Sequence, residues 1–545
     1  LHACGQLMEE NLMSRNRTPP ITADGPLSRD LTDEFISDLN ALLIEDTTPA
    51  GVYQKEMWLT KFVDLDPSKA RARRFAAIEK WLAVELENEK TNRRIALLGS
   101  SSGPILPGVS IKAFLDRVRF TIAQVLPWAP SLDIAHGGFS GGASTSKSRR
   151  RSSPATKFLD KADATASALP IFYDLTRGTM WAEHISAGLE PRRVAGNVMF
   201  TVPKNSDIDR CAAKEPDLNM FLQKMLGNQI RTLLKRTGID LNDQRINQEL
   251  ARIGSVDGSL ATIDLSSASD SVCTRLVEEV LPSDWFYYMN RFRSPITDID
   301  GVAHRNEMFS SMGNGFTFEL ESLLFYALAR ATAYFGGWKG RISVYGDDLI
   351  VPAGMYDDLV SVLAFMGFTV NPKKSFSEGP FRESCGAHWH YGVDVKPFFL
   401  RGPFSRQSDL ILTLNQLTAW ASRCIGVVDP RYEAIIAKYR VYIDEQVWGG
   451  SDTSSRTSLV TGHSPRGEFV EAIENVSVLH KGGYLYWLFT VLQRIGEGDL
   501  VVTRAKPAGF SRIRRRRFRT HLDYGLDVPL FLGNYEEASR QEPVG

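Results

Sequence analysis

The chain is poor in cysteine. Cys4, Cys211, Cys273, Cys385 and Cys424 are the only five in 545 residues. Their odd number and wide spacing imply no disulfide framework, and a reducing cytoplasm is the simplest setting. No stretch approaches 18 consecutive apolar residues, so no membrane span is expected. Net charge is also missing: 64 Lys and Arg balance 64 Asp and Glu, which excludes a histone-like polycation but not a locally basic groove. There is no internal repeat. The first residues, Leu1-His2-Ala3-Cys4-Gly5, lack the basic start and apolar stretch of a signal peptide. They also lack methionine, and Met8 and Met13 are the nearest candidate starts.

What is present is ordinary globular composition, 43% hydrophobic, 23% charged and 10% aromatic, which is enough for a sizeable core and excludes wholesale disorder, collagen-like repeats and coiled coil. The length leaves room for three or four domain-sized units. Residues 1–35 are polar and read as a loose arm. From 36 to about 135 the apolar spacing is mostly helical, as in Ala76-Ala77-Ile78-Glu79-Lys80-Trp81-Leu82-Ala83-Val84-Glu85-Leu86. Residues 137–157, rich in Gly, Ser and Arg, read as a loop or mobile finger. Its Arg149, Arg150 and Arg151 suit RNA phosphates, and a solvated charge run accounts for them equally well. The run 512–519 is denser, and Arg514, Arg515, Arg516 and Arg517 repel one another unless a polyanion such as RNA neutralises them; a solvated tail or a localisation-like signal is the alternative.

The chemistry concentrates between 199 and 400. Arg341 to Pro352 reads as strand, Gly-Asp turn, strand, and sets Asp347 beside Asp348 at a hairpin tip. Ordinary turn chemistry explains Gly and Asp there, but adjacent carboxylates repel unless a divalent cation sits on them. Leu260-Ala261-Thr262-Ile263 reads as a buried strand ending at Asp264, and Ser269 or Asp270 as the cap of the next helix. Asp264, Asp347 and Asp348 together suit two Mg²⁺ ions, with Mn²⁺ as the alternative ion, in phosphoryl transfer. Tyr356-Asp357-Asp358 looks similar but opens a helix, where acids are ordinary dipole partners, and is given no catalytic role.

Around these lie supporting residues. Lys204, Arg210 and Lys214 suit a triphosphate, although interleaved acids fit a solvated surface as well. The loop holding Ser311, Gly313, Asn314 and Thr317 suits a sugar, with plain helix capping as the alternative. Lys373 or Lys374 fits a general acid for a pyrophosphate leaving group. Cys385, His388 and His390 form a Cys-x2-His-x-His cluster, but zinc asks for a fourth ligand, and a hairpin beside the acidic sites is the expected arrangement.

Six stretches occur in order: Val202-Pro203-Lys204-Asn205, Gly238-Ile239-Asp240-Leu241-Asn242-Asp243-Gln244, Ile263-Asp264-Leu265-Ser266-Ser267-Ala268-Ser269-Asp270-Ser271, Met312-Gly313-Asn314-Gly315-Phe316-Thr317-Phe318-Glu319-Leu320-Glu321-Ser322, Tyr345-Gly346-Asp347-Asp348 and Phe381-Arg382-Glu383-Ser384-Cys385-Gly386. Together they resemble the RNA-dependent RNA polymerases, and more narrowly the replicase β-subunits of the positive-strand RNA bacteriophages, the leviviruses. The resemblance implies an α+β right-hand polymerase with fingers over 36–255, palm over 256–400 and thumb with the C-terminal region over 401–545. It implies an enzyme that copies single-stranded phage RNA from ribonucleoside triphosphates in the host bacterial cytoplasm. It also implies a complex with host elongation factors Tu and Ts and a ribosomal protein. By the same resemblance Asp264, Asp347 and Asp348 hold the metals, Lys204, Arg210 and Lys214 face the triphosphate, and Ser311, Gly313, Asn314 and Thr317 select the sugar, with Asp270 beside them. Two positions depart from the wider polymerase pattern. Ser269 stands where a second Asp is common, and Glu321 where Asn is common. A reverse transcriptase shares the paired-Asp hairpin but usually has an apolar residue in place of Gly346 and a bulky aromatic near the first Asp. A non-catalytic RNA-binding protein would not need the three carboxylates.

Overall fold

A computed structural model describes residues 24–461, apart from 25, 65, 99–102, 150, 151, 153 and 424–425. Arg150, Arg151 and the whole 512–519 run therefore lie outside the described residues.

Two cores organise the fold. The smaller one joins segments from the two ends of the described chain. Helices α1 (Arg29–Glu45) and α2 (Pro49–Met57) pack with α9 (Gln407–Ser422) and α10 (Pro430–Arg440). Leu31, Phe35, Leu39 and Leu43 repeat at i, i+4 and make one buried stripe on α1. Ser28 caps that helix, its Oγ accepting from the Asp30 amide at 3.2 Å. The arm assigned to 1–35 is thus corrected from Arg29 onward: the segment holds enough apolar surface at helical spacing to fold, but its partners lie near residue 430. Phe35 is fully buried and meets Trp58, Phe404 and Tyr439 edge to face. Tyr439 and Lys438 both donate to Asp38 at 2.7 Å, and Tyr432 donates to Asp46 at 2.6 Å.

The larger core surrounds α7 (Thr317–Gly336), which is buried along most of its length from Leu320 to Ala333, with Arg330 and Tyr334 exposed. It packs on α4 (Ile111–Val125) and α5 (Asp217–Arg236). Strands β1 (Asn197–Pro203) and β2 (Asp209–Lys214) form a hairpin, extended into a four-stranded sheet by β4 (Ile296–Ile299) and β5 (Val302–Arg305). Strand β3 (Leu260–Ile263), buried at every residue, lies in a second sheet with β6 (Ser343–Tyr345) and β7 (Asp348–Pro352), in the order β6-β7-β3. Another hairpin, β8 (Phe381–Ser384) and β9 (Ala387–His390), packs against α6 (Arg245–Asp257).

Helix α3 (Pro67–Ala96) spans the expected 76–86 segment, but the face it buries differs from the hydrophobic pattern. Leu82 and Leu86 are exposed, whereas Glu85, Asn88 and Asn92 are buried. Those polar residues face backbone groups that need partners, so hydrogen bonding rather than apolar area sets the rotation of the helix. The described part of the segment expected as a loop over 137–157 is irregular up to Ser152 but ends in a short helix, Pro154–Leu159, and it is tied down: Ser144 and Ser146 each donate to Asp217 at 2.5 Å, and the buried Lys157 donates to the carbonyls of Ser140 and Gly142.

Phe35→Ala is expected to lower unfolding free energy by about 3–5 kcal/mol, read from urea denaturation followed by tryptophan fluorescence.

Candidate active site

The hairpin tip is built by Gly346. Its φ of +61° is left-handed, and a Cβ there would stand 2.5 Å from the Phe318 ring, so both backbone and packing call for glycine. Its amide donates to Ser322 Oγ at 3.0 Å, tying the tip to α7. Asp347 stands at the tip and Asp348 opens β7. The register pairs Leu349 with Ile263, so one step further out Asp348 comes alongside Asp264. Asn371 orients Asp264, its Nδ2 donating to Oδ2 at 2.9 Å. Ser384 on β8 donates to Asp348 Oδ1 at 3.2 Å.

Asp264 and Asp347 open into one cavity of about 300 Å³, whose wall also carries Lys80, Lys204, Arg210, Asp270 and Lys374. Burial raises the Asp347 carboxyl above its ordinary range, and the Asp264 charge raises it further. Asp348 is pushed up to about 7 by burial and then by Asp347. The cations respond in turn. Lys204 is lowered by desolvation and by Arg210, Lys80 and Lys374. Desolvation also works against the charge of Lys374, but Glu383, Asp264, Asp348 and Asp347 hold it above the usual lysine value.

Asp270 also reaches the cavity. Burial and then Glu85 push it up to about 7, and its Oδ1 has no hydrogen-bond partner. It does not cap a helix. Residues Ser269–Ser271 form a 3-10 turn, and the next helix starts at Thr274 after Cys273. Ser269 donates instead to Glu321 at 2.7 Å, so the two departures from the wider pattern bond to each other. Burial raises Glu321 to about 8.

The remaining expected residues fall elsewhere. Lys214 lies off the cavity, 5.6 Å from the centre of the Phe200 ring. Ser311 is buried against Asn197, and Thr317 Oγ1 lies 3.0 Å from the Ser311 carbonyl, to which it donates, and 2.8 Å from Ser310 Oγ. Gly313 lets the Ala213 carbonyl approach to 2.3 Å of where a Cβ would sit, and buried Asn314 accepts from the Phe316 amide. These four build the loop, while its Met312 lines the cavity. Lys373 is exposed and does not line it. Arg149 is exposed, away from the cavity wall. His388 accepts or donates through Nδ1 with Tyr53 at 2.8 Å, and the expected hairpin over Cys385, His388 and His390 is present. Asp358 accepts from Trp338 at 2.8 Å, far from catalytic work. Lys80, Met312 and Asn371 were not singled out from sequence. Asn371 had a signal, its place beside the two lysines; Lys80 had none.

The loop carrying Asp270 is held from behind by α3. Glu85 accepts from the amides of Glu307 and Met308 at 2.7 and 2.9 Å and lies 3.0 Å from His304 Nε2. Asn88 donates to the Asp270 carbonyl at 2.6 Å, and Asn92 to the Glu307 carbonyl at 2.9 Å. Asn88→Ala should therefore speed amide hydrogen exchange over 267–273 while leaving 323–328 protected, with a stability loss of about 1–3 kcal/mol.

Among the described residues, no three or more His, Cys, Asp or Glu side chains are already gathered into a metal-holding group. The donor set nevertheless fits a hard divalent cation. It consists of carboxylate oxygens, and burial with mutual repulsion raises both Asp347 and Asp348, a cost that a bound cation removes.

Comparison with known proteins adds to this geometry. Residues 45–479 match the protein family described as RNA replicase, beta-chain. The chain is 40% identical over 446 residues to the RNA-directed RNA polymerase beta chain of Enterobacteria phage fr, covering 80% of this chain and 81% of that one. With the RNA-directed RNA polymerase beta chain of Enterobacteria phage GA it shares 37% over 524 residues, 92% of this chain and 95% of the other. With the RNA-directed RNA polymerase subunit beta of Escherichia virus Qbeta it shares 43% over 376 residues, 68% and 62% of the two chains.

Proposed function

This chain belongs to the RNA replicase, beta-chain family, and on that premise we propose that its cavity is the nucleotidyl-transfer site of an RNA-directed RNA polymerase. The chain is such a polymerase, of the kind RNA phages encode. The observation that carries the assignment of the site is the meeting of Asp264 and Asp347 in one cavity rimmed by Lys80, Lys204, Arg210 and Lys374.

In the proposed reaction the 3′-hydroxyl of the growing RNA attacks the α-phosphorus of a ribonucleoside triphosphate, and pyrophosphate leaves. Asp264, Asp347 and Asp348 are the residues that would hold two Mg²⁺ ions, or Mn²⁺ in their place. When bound, such ions lower the pKa of the attacking hydroxyl and offset charge on the leaving oxygens. Lys204 and Arg210, with Lys80, supply fixed positive charge along the triphosphate. Lys374 Nζ, kept protonated by four carboxylates, gives its proton to the pyrophosphate oxygen as the P–O bond breaks. This favours Lys374 over Lys373. Asp270, whose Oδ1 lacks a partner, is assigned to a ribose hydroxyl. Asn371 and Ser384 orient the Asp264 and Asp348 carboxylates.

The regions 36–255, 256–400 and 401–545 are assigned to fingers, palm and thumb, with α1 and α2 counted with the thumb because they share its core. The partners proposed are single-stranded RNA template, ribonucleoside triphosphates, and host factors Tu, Ts and a ribosomal protein, in the host cytoplasm. No helix among the described residues is long and apolar enough to cross a membrane. A host pull-down with mass spectrometry tests the protein partners.

Asp264→Asn, Asp347→Asn and Asp348→Asn are each expected to cut ribonucleotide incorporation at least about a hundredfold. Asp357→Asn and Asp358→Asn should leave it nearly unchanged; equal losses at 347 and 357 would overturn the assignment. Mg²⁺ should also raise the melting temperature of the wild-type chain, with a gain of about 2.7 kcal/mol at a hundred times Kd. Calorimetry on Asp264→Asn and Asp347→Asn should show that gain reduced.

A further inference from the structure

Lys374 sits in a segment whose backbone is fastened and whose side chain is not. On one side of it the Asn371 amide donates to the Asp264 carbonyl at 2.9 Å, and on the other Ser375 Oγ accepts from the Asp264 amide at 3.0 Å. These bonds set the segment at the cavity edge and leave the half-exposed Lys374 side chain to be held by another group. That group is Glu383, whose Oε1 lies 3.7 Å from Lys374 Nζ and whose side chain is 15% exposed. Among the described residues, Lys374 makes no other ion pair.

Glu383 is itself held in place. The β8–β9 register sets it opposite the buried His388, whose Nε2 lies 3.8 Å from the same Oε1. On its far side His388 Nδ1 stands 2.8 Å from the hydroxyl of Tyr53 on α2, and the Tyr53 ring packs on Phe381 with centres 5.0 Å apart. Burial, then Glu383 and Glu56, raise the Tyr53 phenol, so it keeps its proton. His388, lowered to about 3 by burial and then by Lys396, Lys374 and Lys61, is a neutral imidazole with one N–H. A Tyr53 hydroxyl donating to Nδ1 leaves that N–H on Nε2, where it faces Glu383. The tautomer assigned on this ground turns the whole row toward the carboxylate beside Lys374.

The charges around the pair favour the ammonium. Desolvation opposes the Lys374 charge, and Glu383 stands first among the carboxylates that outweigh it, ahead of Asp264, Asp348 and Asp347. Those three aspartates are the ones assigned to cations, which leaves Glu383 free to face Lys374. Lys204 and Lys61 are the like charges near it. Glu383 is raised by burial against the pull of Lys374 and Lys61, with Asp264 adding to the rise. Burial thus outweighs the lysines at Glu383, while the carboxylates outweigh burial at Lys374, so the ammonium is the firmer half of the pair.

We propose that Glu383 is the positioning residue of the general acid: it keeps the Lys374 ammonium at the cavity edge, and His388 with Tyr53 keeps Glu383 there in turn. The proposal rests on the reading of Lys374 as the proton donor to pyrophosphate. The proton still passes from Lys374 Nζ to the leaving oxygen, and Glu383 keeps its charge throughout.

The test uses the full chain and single-nucleotide incorporation on an RNA primer–template, resolved by rapid quench. At saturating nucleotide E383Q should be slower by about tenfold or more. KM for the nucleotide should stay within about twofold. The alkaline limb of the rate should begin at lower pH, because the lysine works protonated and has lost a carboxylate that holds its proton. E383Q/K374Q should be no slower than K374Q alone; losses that multiply mean a separate structural role and overturn the proposal. A readout apart from activity is NMR of the chain with its lysines dimethylated with ¹³C, the Lys374 signal being the one K374Q lacks. That signal should titrate at lower pH in E383Q, and an unmoved titration overturns the proposal. Y53F, which keeps the ring and removes the hydroxyl, should move it the same way by less; this variant decides the matter if E383Q does not fold, and no movement in it then overturns the proposal. If K374Q incorporates nucleotide at the wild-type rate, the general-acid reading falls. If K374Q is slow and E383Q matches wild type, the positioning role alone falls.

Discussion

The constraint on which the structure turns is the confinement of like charge. Asp264, Asp270 and Asp347 line one cavity, Asp348 and Glu321 lie close to them, and Asp270, Glu321, Asp347 and Asp348 are raised by burial. Desolvation and mutual repulsion both oppose such an arrangement, and they weaken the fold unless something is set against them. The neighbouring elements supply that opposition. The β1–β2 hairpin brings Lys204 and Arg210, the segment after α8 (Tyr356–Phe365) brings Asn371 and Lys374, β8 brings Ser384, and the 3-10 turn brings Ser269. Each comes from a different part of the chain, so the cavity exists only when the sheets, α3 and α7 are all in place.

The same crowding explains why Gly346 and the β7–β3 register matter. A hairpin with any other tip residue would have to move away from Phe318, taking Asp347 out of the cavity. A one-residue slip of β7 against β3 would turn its buried Leu349 and Val351 to the opposite face and separate Asp348 from Asp264. The acidic pair is thus held in position by apolar packing behind it.

Much of this could be read from the sequence, and the rest could not for identifiable reasons. The hairpin at 347 and the buried strand ending at Asp264 declare themselves because local pattern and turn chemistry agree. The rotation of α3 does not, since Glu85 and Asn88 find their partners at 307, 308 and 270, about two hundred residues away. For the same reason the first turns of α1, residues 29–35, read as part of an arm. In the 311–317 loop, residue types that suit a sugar are spent on the loop's own backbone, and only Met312 reaches the cavity. Small polar residues serve both purposes, and sequence gives no means to tell them apart.

The shared core of the chain ends has a consequence for synthesis on the ribosome. Asp38 and Lys438 are 400 residues apart, and the stripe Leu31, Phe35, Leu39 and Leu43 has no place to bury itself until α9 and α10 have emerged. At roughly 5–20 residues per second, that wait lasts about 20–80 s. Throughout it a sticky helix near the start of the nascent chain is open to aggregation or to a chaperone. A ribosome that stops before residue 400 releases a product whose first helix never finds its partners. Synthesis through α9 and α10 is therefore a condition for burying the helix that was made first.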